Sequence, residues 1–297
     1  MVIKSNSTVC FLGDSITANG GWIARVAERY AFHHPKKYVR FYNCGVAGTT
    51  AATAINGYLY EECLSWNPNY VYICYGINDI DSNLYKVSDN NEDKIKALKK
   101  YRENLTLLIK EITAFGAVPV LMTPPAHNDK ATGMFCNEGL LRCVEIQHEL
   151  SELYSLENLN LYTPFEARMT DPITSDGTHP NTLGDSIIAT VLLEHLGISE
   201  NVDDLAARSL SETNQKRFLL EKKIRLLAFV RWQMGLHDVV KGQYLVPEHI
   251  SRLLCEANQH IAPWSEDVYR SYCDVIYTEM MSRADLVKLT VAVAAGK

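Results

Sequence analysis

Residues 10–17 of the 297-residue chain read CFLGDSIT. The apolar run at residues 9–12 predicts a short buried strand, and Gly13 ends it. Ser15 therefore follows at the carboxyl end of a strand, which is where open α/β sheets place their ligands and reacting groups. This position makes Ser15 a candidate nucleophile, provided that the rest of the chain supplies a base, a group that orients the base, and an oxyanion hole.

Short apolar runs rich in β-branched and aromatic residues recur along the first two thirds of the chain. These runs cover residues 9–12, 39–42, 70–75, 118–122 and, more weakly, 159–162. Because amphipathic helical patterns alternate with them, they predict a parallel sheet that is covered by helices on both faces. The hydrophilic stretch at residues 81–94 predicts a surface loop.

The pattern changes after about residue 198, where strand-like runs stop and helical spacing continues. We therefore expect an α/β domain over residues 1–198 and an all-helical C-terminal appendage over residues 199–297, with helices that include Leu219, Pro247 and the segment after Ser265. Its apolar stripes must be buried against something; they include Phe218, Leu226, Phe229, Trp232 and Ile250. We expect them to pack on the α/β domain. We also expect the appendage to help select the alcohol part of a substrate or a partner protein, and a homo-oligomer formed through the appendage is one form of this role.

The composition disfavours several classes of partner. The formal net charge is -6, whereas a nucleic-acid or anionic-membrane surface needs a basic face. No run is long enough to span a bilayer. The 8 cysteines contain no CxxC pair, and Cys10, Cys44, Cys63 and Cys74 lie in apolar surroundings typical of reduced thiols. With no signal segment ahead of the first strand, we expect a cytoplasmic protein, although a chain trimmed of its signal would look the same.

A candidate base lies in residues 176–179, which read DGTH. Asp176 and His179 are three residues apart, so in a turn the carboxylate reaches the imidazole Nδ1 and leaves Nε2 to accept a hydroxyl proton. Taken alone, this spacing is more typical of a capped helix start.

Candidate oxyanion donors follow two other predicted strands. Residues 43–48 read NCGVAG, and residues 76–79 read GIND. Glycine lets a backbone N–H approach a ligand closely, and an asparagine amide can donate to a developing oxyanion. Each block alone also fits an ordinary turn.

Together, the four blocks resemble the SGNH hydrolases, which are also called GDSL-like esterases and lipases. The resemblance covers about residues 8–195, and its first block here is GDSI. It is carried by Gly13-Asp14-Ser15, Asn43-x-Gly45 with Gly48, Gly76-x-Asn78-Asp79 and Asp176-x-x-His179-Pro180. It implies a flavodoxin-like α/β/α sandwich with a central parallel sheet.

The resemblance also implies a role for each matching residue. Ser15 is expected to be the nucleophile, His179 its base and Asp176 the group that orients the base. The expected oxyanion hole consists of the N–H groups of Ser15 and Gly48 and the side chain of Asn78. Asp14 and Asp79 also match positions of the family pattern, and we expect them to be shell residues that hold the loops. We expect no metal site and no cofactor.

The substrate is the least constrained feature. Residues 124–138 are expected to form one pocket wall, and their polar composition around Met134 and Phe135 disfavours a long acyl chain. Several aromatic residues suit a sugar-like alcohol, although they also suit an ordinary core; these are Trp22, Tyr58, Tyr60 and Tyr75.

The sequence therefore predicts a serine esterase that hydrolyses short-chain esters, with O-acetyl esters of a carbohydrate favoured. The same triad would also serve an acyltransferase. A third alternative is a binding or assembly module that keeps a vestigial esterase site, which the intact blocks disfavour.

Overall fold

A computed structural model describes residues 1–86 and 91–233. Within these residues, five strands form one sheet in the order β2-β1-β3-β4-β5. The strands are β1 (Ser7–Gly13), β2 (Val39–Gly45), β3 (Tyr70–Cys74), β4 (Val118–Met122) and β5 (Asn158–Leu159). Every neighbouring pair is parallel, and β1 is buried along its whole length. The predicted parallel sheet is confirmed.

Helices lie between and after the strands. They are α1 (Ser15–Asn19), α2 (Gly21–His33), α3 (Ala51–Thr53), α4 (Asn91–Phe115), α5 (Asp129–Thr132), α6 (Asn137–Tyr154), α7 (Tyr162–Ala167), α8 (Thr182–His195), α9 (Val202–Ala207) and α10 (Glu212–Gln233). A π-helix (Ala54–Cys63) continues α3, followed by the 3₁₀ turn Leu64–Trp66. Helix α2 packs on α8, and α4 packs on α6. The sheet with its flanking helices forms an α/β sandwich.

The strand order fixes where a ligand can bind. The chain leaves β1 for β2 at one side and later returns to β3 at the other side of β1. In open α/β sheets, the crevice at the carboxyl ends of the strands around such a reversal is the usual ligand site. The loops that follow β1, β2 and β3 meet there, and they carry the first three sequence blocks.

The weak strand expected at residues 159–162 is shorter than predicted and shifted. Only Asn158–Leu159 pairs with β4. The hydroxyl of Thr123 then accepts hydrogen bonds from the N–H groups of Leu161 (2.8 Å) and Tyr162 (3.1 Å). Because these two N–H groups bond a side chain, the backbone leaves the ladder and α7 begins at Tyr162.

The surface loop expected at residues 81–94 is only partly correct. A 3₁₀ turn covers Ser82–Tyr85, and α4 already begins at Asn91. The Tyr85 ring is buried, with the Lys94 ammonium 4.6 Å from its centroid. Residues 87–90 lie outside the described residues.

The helix predicted around Leu219 is present as α10, but its buried face differs from the expected apolar one. Leu219 is 52% exposed. The buried side chains of α10 that the structure describes are mostly charged, and they are Arg217, Glu221, Arg225 and Ala228. Further predicted helices, with Pro247, Ile250 and Ser265, lie outside the described residues.

Ion pairs and hydrogen bonds attach α10 to the α/β core. Arg217 donates to the backbone oxygen of Phe41 in β2 (3.1 Å), and Arg225 donates to the buried carboxylate of Glu62 (2.9 Å). Each of these buried charged side chains has a hydrogen-bond partner, which offsets the cost of burying it. The helix therefore packs on the β2 side of the sheet.

Within residues 1–86 and 91–233, all cysteines are free and buried, including the four that the sequence placed in apolar surroundings. In the same part of the chain, no helix combines the length and apolar character that a membrane span requires.

Candidate active site

Ser15 begins α1 directly after β1, and its Oγ lies 2.9 Å from Nε2 of His179. The Asp14 carboxylate caps this short helix by accepting a hydrogen bond from the Ile16 N–H (2.9 Å). The Trp22 indole donates to the backbone oxygen of Ile16 (3.1 Å) and ties α1 to α2. The hydroxyl is thus held at the open end of the sheet.

The Asp-His pair sits in a tight turn ahead of α8. Nδ1 of His179 lies 2.6 Å from Oδ2 of Asp176, while Oδ1 accepts from the N–H groups of Thr178 (3.0 Å) and His179 (2.8 Å). An antiparallel bridge between Thr174 and Pro180 closes the turn. The structure therefore brings Ser15, His179 and Asp176 into one hydrogen-bonded series.

The hydrogen bonds decide the ionisation of Asp176. Partial burial raises the pKa of its carboxyl group, but the N–H of His179, the His179 ring and the N–H of Thr178 outweigh burial and bring the pKa to about 2. Asp176 is ionised at neutral pH, so its Oδ2 favours a proton on Nδ1 of His179. Nε2 of the neutral ring can then accept the Ser15 hydroxyl proton.

Gly48 and Asn78 follow β2 and β3 and are joined through the neighbouring residue Thr49. The Asn78 amide donates to the backbone oxygen of Thr49 (3.0 Å). Gly48 has φ +73°, a left-handed conformation that favours glycine. Among the described residues, no acceptor is bonded to the backbone N–H of Ser15 or Gly48. Both N–H groups are therefore available to a ligand.

Asp14 and Asp79 are buried carboxyl groups that brace the site loops. Asp79 accepts from the N–H of Ala51 (2.9 Å), which joins the GIND turn to the start of α3. Burial raises the pKa of both carboxyl groups to about 7, and the charge of Asp79 adds to the rise at Asp14. Their contacts are with loop backbone, as a shell position requires.

Asn43 is a brace whose function the sequence did not reveal. Its side chain donates to the backbone oxygen of Ala18 (3.1 Å) and accepts from the N–H of Gly45 (3.0 Å). It therefore fastens the end of β2 to the end of α1. The only signal in the sequence was its position in the NCGVAG block.

His127 was missed entirely, since a single histidine in a polar segment gives no sequence signal. It is 2% exposed and lies between Asp129 and the catalytic turn. Nδ1 lies 2.7 Å from Oδ1 of Asp129, and Nε2 lies 2.9 Å from Oγ1 of Thr178. The N–H of Asn128 also donates to the backbone oxygen of Gly177 (3.0 Å). The segment 124–138 thus packs directly on the turn that carries Asp176 and His179.

A sequence profile of the GDSL-like lipase/acylhydrolase family matches residues 9–192, which include all four sequence blocks of the site. The chain belongs to the GDSL-like (SGNH) family. It is an SGNH-type serine ester hydrolase. No curated protein matches the chain in sequence.

Solved structures share the fold of this SGNH hydrolase. Axe2, an acetylxylan esterase from Geobacillus stearothermophilus, has 22% identity and a TM-score of 0.56, over 67% of this chain and 98% of Axe2. BT4096, a gut microbial diltiazem-metabolizing enzyme, has 16% identity and a TM-score of 0.69, over 98% of this chain and 94% of its own. LAE5, an alpha/beta hydrolase enzyme from the Lake Arreo metagenome, has 18% identity and a TM-score of 0.57, over 67% of this chain and 99% of LAE5.

Ser15 lines a cavity of about 390 Å³. The described residues that line it are Ser15, Ala18, Asn19, Ala47, Lys222, Arg225 and Phe229. Three of these residues belong to α10, and none comes from the segment 124–138, which was expected to be a pocket wall. That segment instead lines a separate cavity with Met169 and Thr170.

The aromatic residues expected to suit a sugar are core residues in this hydrolase. Trp22, Tyr58 and Tyr75 are buried. The Tyr58 hydroxyl is bonded to Thr49 Oγ1 (2.6 Å) and to the Tyr75 hydroxyl (2.5 Å). Tyr60 is half-buried and donates to Glu111. The expectation that these rings face the substrate is therefore wrong.

Two groups of described residues place donor atoms close enough for a metal ion, and they are Cys10, Cys44 and Cys63 in one group and His127, Asp129 and Cys136 in the other. Both ring nitrogens of His127 are already bonded, to Asp129 and Thr178. The thiol of Cys10 lies 3.7 Å from the backbone oxygen of Cys63. Neither of these two groups of described residues includes Ser15, Asp176 or His179.

Proposed function

We propose that this SGNH hydrolase cleaves short-chain esters, above all O-acetyl esters of a polar alcohol, with Ser15, His179 and Asp176 as its triad. The observation that carries the proposal is the series of hydrogen bonds from Ser15 Oγ to His179 Nε2 (2.9 Å) and from His179 Nδ1 to Asp176 (2.6 Å). This is the arrangement that lets an imidazole accept a serine proton while a carboxylate holds its tautomer.

In the first half-reaction, Ser15 Oγ attacks the ester carbonyl carbon while His179 Nε2 takes the hydroxyl proton. The carbonyl oxygen becomes an oxyanion, which accepts hydrogen bonds from the N–H groups of Ser15 and Gly48 and from the Asn78 amide. The tetrahedral intermediate then collapses, and the C–O bond to the alcohol breaks. The leaving alcohol receives the proton from His179, and the acyl group remains on Ser15.

In the second half-reaction, water attacks the acyl-enzyme with His179 as its base, and the carboxylic acid leaves Ser15 free. The His179 side chain is 32% exposed, which allows water to reach it. The similar fold of an acetylxylan esterase supports an acetylated carbohydrate as the substrate class.

Incubation with p-nitrophenyl acetate, with and without a sugar acceptor, tests this proposal. We expect release of p-nitrophenol and free acetate at a rate that the acceptor does not change. Acetyl groups recovered on the sugar would instead support the acyltransferase. No turnover of either mixture would contradict an esterase and support the binding module with a vestigial site.

The expected role of the appendage in the choice of alcohol is supported by the three α10 residues in the Ser15 cavity. The domain boundary at residue 198, a homo-oligomer formed through the appendage and a cytoplasmic location stay predictions.

We further expect Thr178 to position the triad through its bond to His127. Thr178→Val keeps the shape of the side chain but removes the hydroxyl that bonds Nε2 of His127, leaving this buried nitrogen unpaired. The turn that carries Asp176 and His179 then loses its support. We expect kcat/KM for p-nitrophenyl acetate to fall about tenfold, which corresponds to about 1.4 kcal/mol.

The conservative variant Thr178→Ser is the matched control, because it retains the hydroxyl. Its kcat/KM should stay close to that of the parent enzyme, and a thermal melt of each variant shows whether the fold is retained. A loss in the serine variant as large as that in the valine variant would contradict this role, because serine keeps the hydroxyl that bonds His127.

A further inference from the structure

Helix α10 is fixed beside the active site although it lies beyond residue 192, where the family match ends. At its start, Glu28 accepts hydrogen bonds from the Ser211 N–H (2.9 Å) and from the Asn214 amide (2.6 Å). Further along, Arg217 and Arg225 bond Phe41 and Glu62. These contacts set which α10 side chains reach the cavity.

The size of the Ser15 cavity exceeds what an acetyl group needs. Its volume of about 390 Å³ falls within the range of about 300–1,000 Å³ that is typical of small-molecule sites. Ala18, Ala47 and Phe229 give it apolar walls, and Asn19 adds a polar group. The cavity therefore fits a larger part of an ester than a short acyl group.

The charged groups on the described wall of this cavity are both cationic. Arg225 is buried and paired with Glu62. Lys222 is exposed, and among residues 1–86 and 91–233 it forms no ion pair. The carboxyl group of Asp185 interacts electrostatically with both Lys222 and Arg25. Glu62 already balances the charge of Arg225. Because burial raises the pKa of Asp185 to about 7, that carboxyl is only partly ionised at neutral pH and offsets only part of the charge of Lys222.

We propose that the ester that occupies this cavity carries a carboxylate that binds the Lys222 ammonium, while its apolar part packs on Phe229. The proposal rests on the proposed esterase function and goes beyond it, because it defines the charge of the substrate. A complementary charge at the cavity mouth would favour anionic esters over neutral ones of the same shape. The carboxylate belongs to either the alcohol or the acyl part.

Two matched pairs of esters test the proposal and distinguish these two sources. The first pair is para-carboxyphenyl acetate and its methyl ester, with the charge on the alcohol part. The second is p-nitrophenyl hemisuccinate and its methyl ester, with the charge on the acyl part. For each pair, kcat/KM is measured at low ionic strength for the parent enzyme, for Lys222→Gln and for Lys216→Gln. Lys216 is the control because it lies on the same helix, exposed and paired with Glu212 (2.7 Å).

We expect Lys222→Gln to lower the ratio of charged to neutral kcat/KM by about fivefold for one pair, which is the scale of one exposed ion pair. Lys216→Gln should leave both ratios unchanged. The pair that responds identifies the part of the substrate that carries the carboxylate. Ratios that are the same in the parent and in Lys222→Gln for both pairs would overturn the proposal while leaving the esterase function intact. A parent enzyme that cleaves none of the four esters would overturn both.

Discussion

Ser15→Ala is expected to lower kcat for ester hydrolysis by at least about a thousandfold while leaving the fold unchanged. Alanine has no oxygen to attack the carbonyl, so His179 and Asp176 lose their reacting partner, and removal of a triad member typically costs several orders of magnitude. The fold should persist because the Asp14 side chain, rather than Ser15, caps α1. Initial rates with p-nitrophenyl acetate and a circular dichroism spectrum measure the two effects.

A second serine provides the control. Ser82→Ala changes a residue at the start of the 3₁₀ turn Ser82–Tyr85, which does not line the described cavity. It should hydrolyse the ester at the parent rate. Mass spectrometry of the acid-quenched parent enzyme should show an acetyl group on the peptide that contains Ser15. A folded Ser15→Ala protein with near-parental activity would refute the triad.

The sequence predicted where the candidate site lies because the α/β architecture carries a positional rule. Ser15, Gly48 and Asn78 each follow an apolar run, and parallel strands bring the carboxyl ends of such runs to one edge of the sheet. His179 follows no such run. Its position was predictable only through the fourth block of the family resemblance and the three-residue spacing from Asp176.

The supporting contacts were not predictable because they join residues far apart in the chain. His127 and Thr178 are separated by 51 residues, and Arg217 and Phe41 by 176. His127, Thr178 and Arg217 have polar side chains, so a periodicity analysis assigns them to solvent. The partner from Phe41 is a backbone oxygen, which no side-chain pattern reveals. Only the folded chain shows that Arg217 and Arg225 face inward, where Phe41 and Glu62 supply their partners.

The buried aromatics illustrate the opposite error. Tyr58 and Tyr75 lie near motif blocks, and this proximity suggested a substrate platform. Their hydroxyls instead bond each other and Thr49, so that the rings fill the core and the oxygens stay paired without solvent. Proximity to a motif block in the sequence therefore does not show whether a side chain lies in the core or in the pocket. Its hydrogen-bonding partners in the folded chain do show this.

Asn78→Ala is the second variant with a large expected effect. The amide donates to the backbone oxygen of Thr49 (3.0 Å), which fixes the orientation of the side chain and leaves its second N–H for the oxyanion. Because the charge on the carbonyl oxygen develops only in the transition state, the loss of this donor should act on kcat and little on KM. We expect kcat for p-nitrophenyl acetate to fall by about a hundredfold to a thousandfold.

The bond to Thr49 also gives Asn78 a structural role, so the variant needs a control that separates the two. Asn83→Ala removes an exposed amide from the same stretch of chain and should leave kcat unchanged. Asn78→Asp keeps the size of the side chain but carries no N–H, so it removes both the bond to Thr49 and the oxyanion donor and should lose at least as much activity as alanine. A thermal melt of each variant measures the structural loss, and a kcat that falls while the melting temperature is retained identifies the oxyanion role. An unchanged kcat in Asn78→Ala would show that Asn78 only stabilises the turn and does not donate to the oxyanion. The oxyanion would then depend on the N–H groups of Ser15 and Gly48 alone.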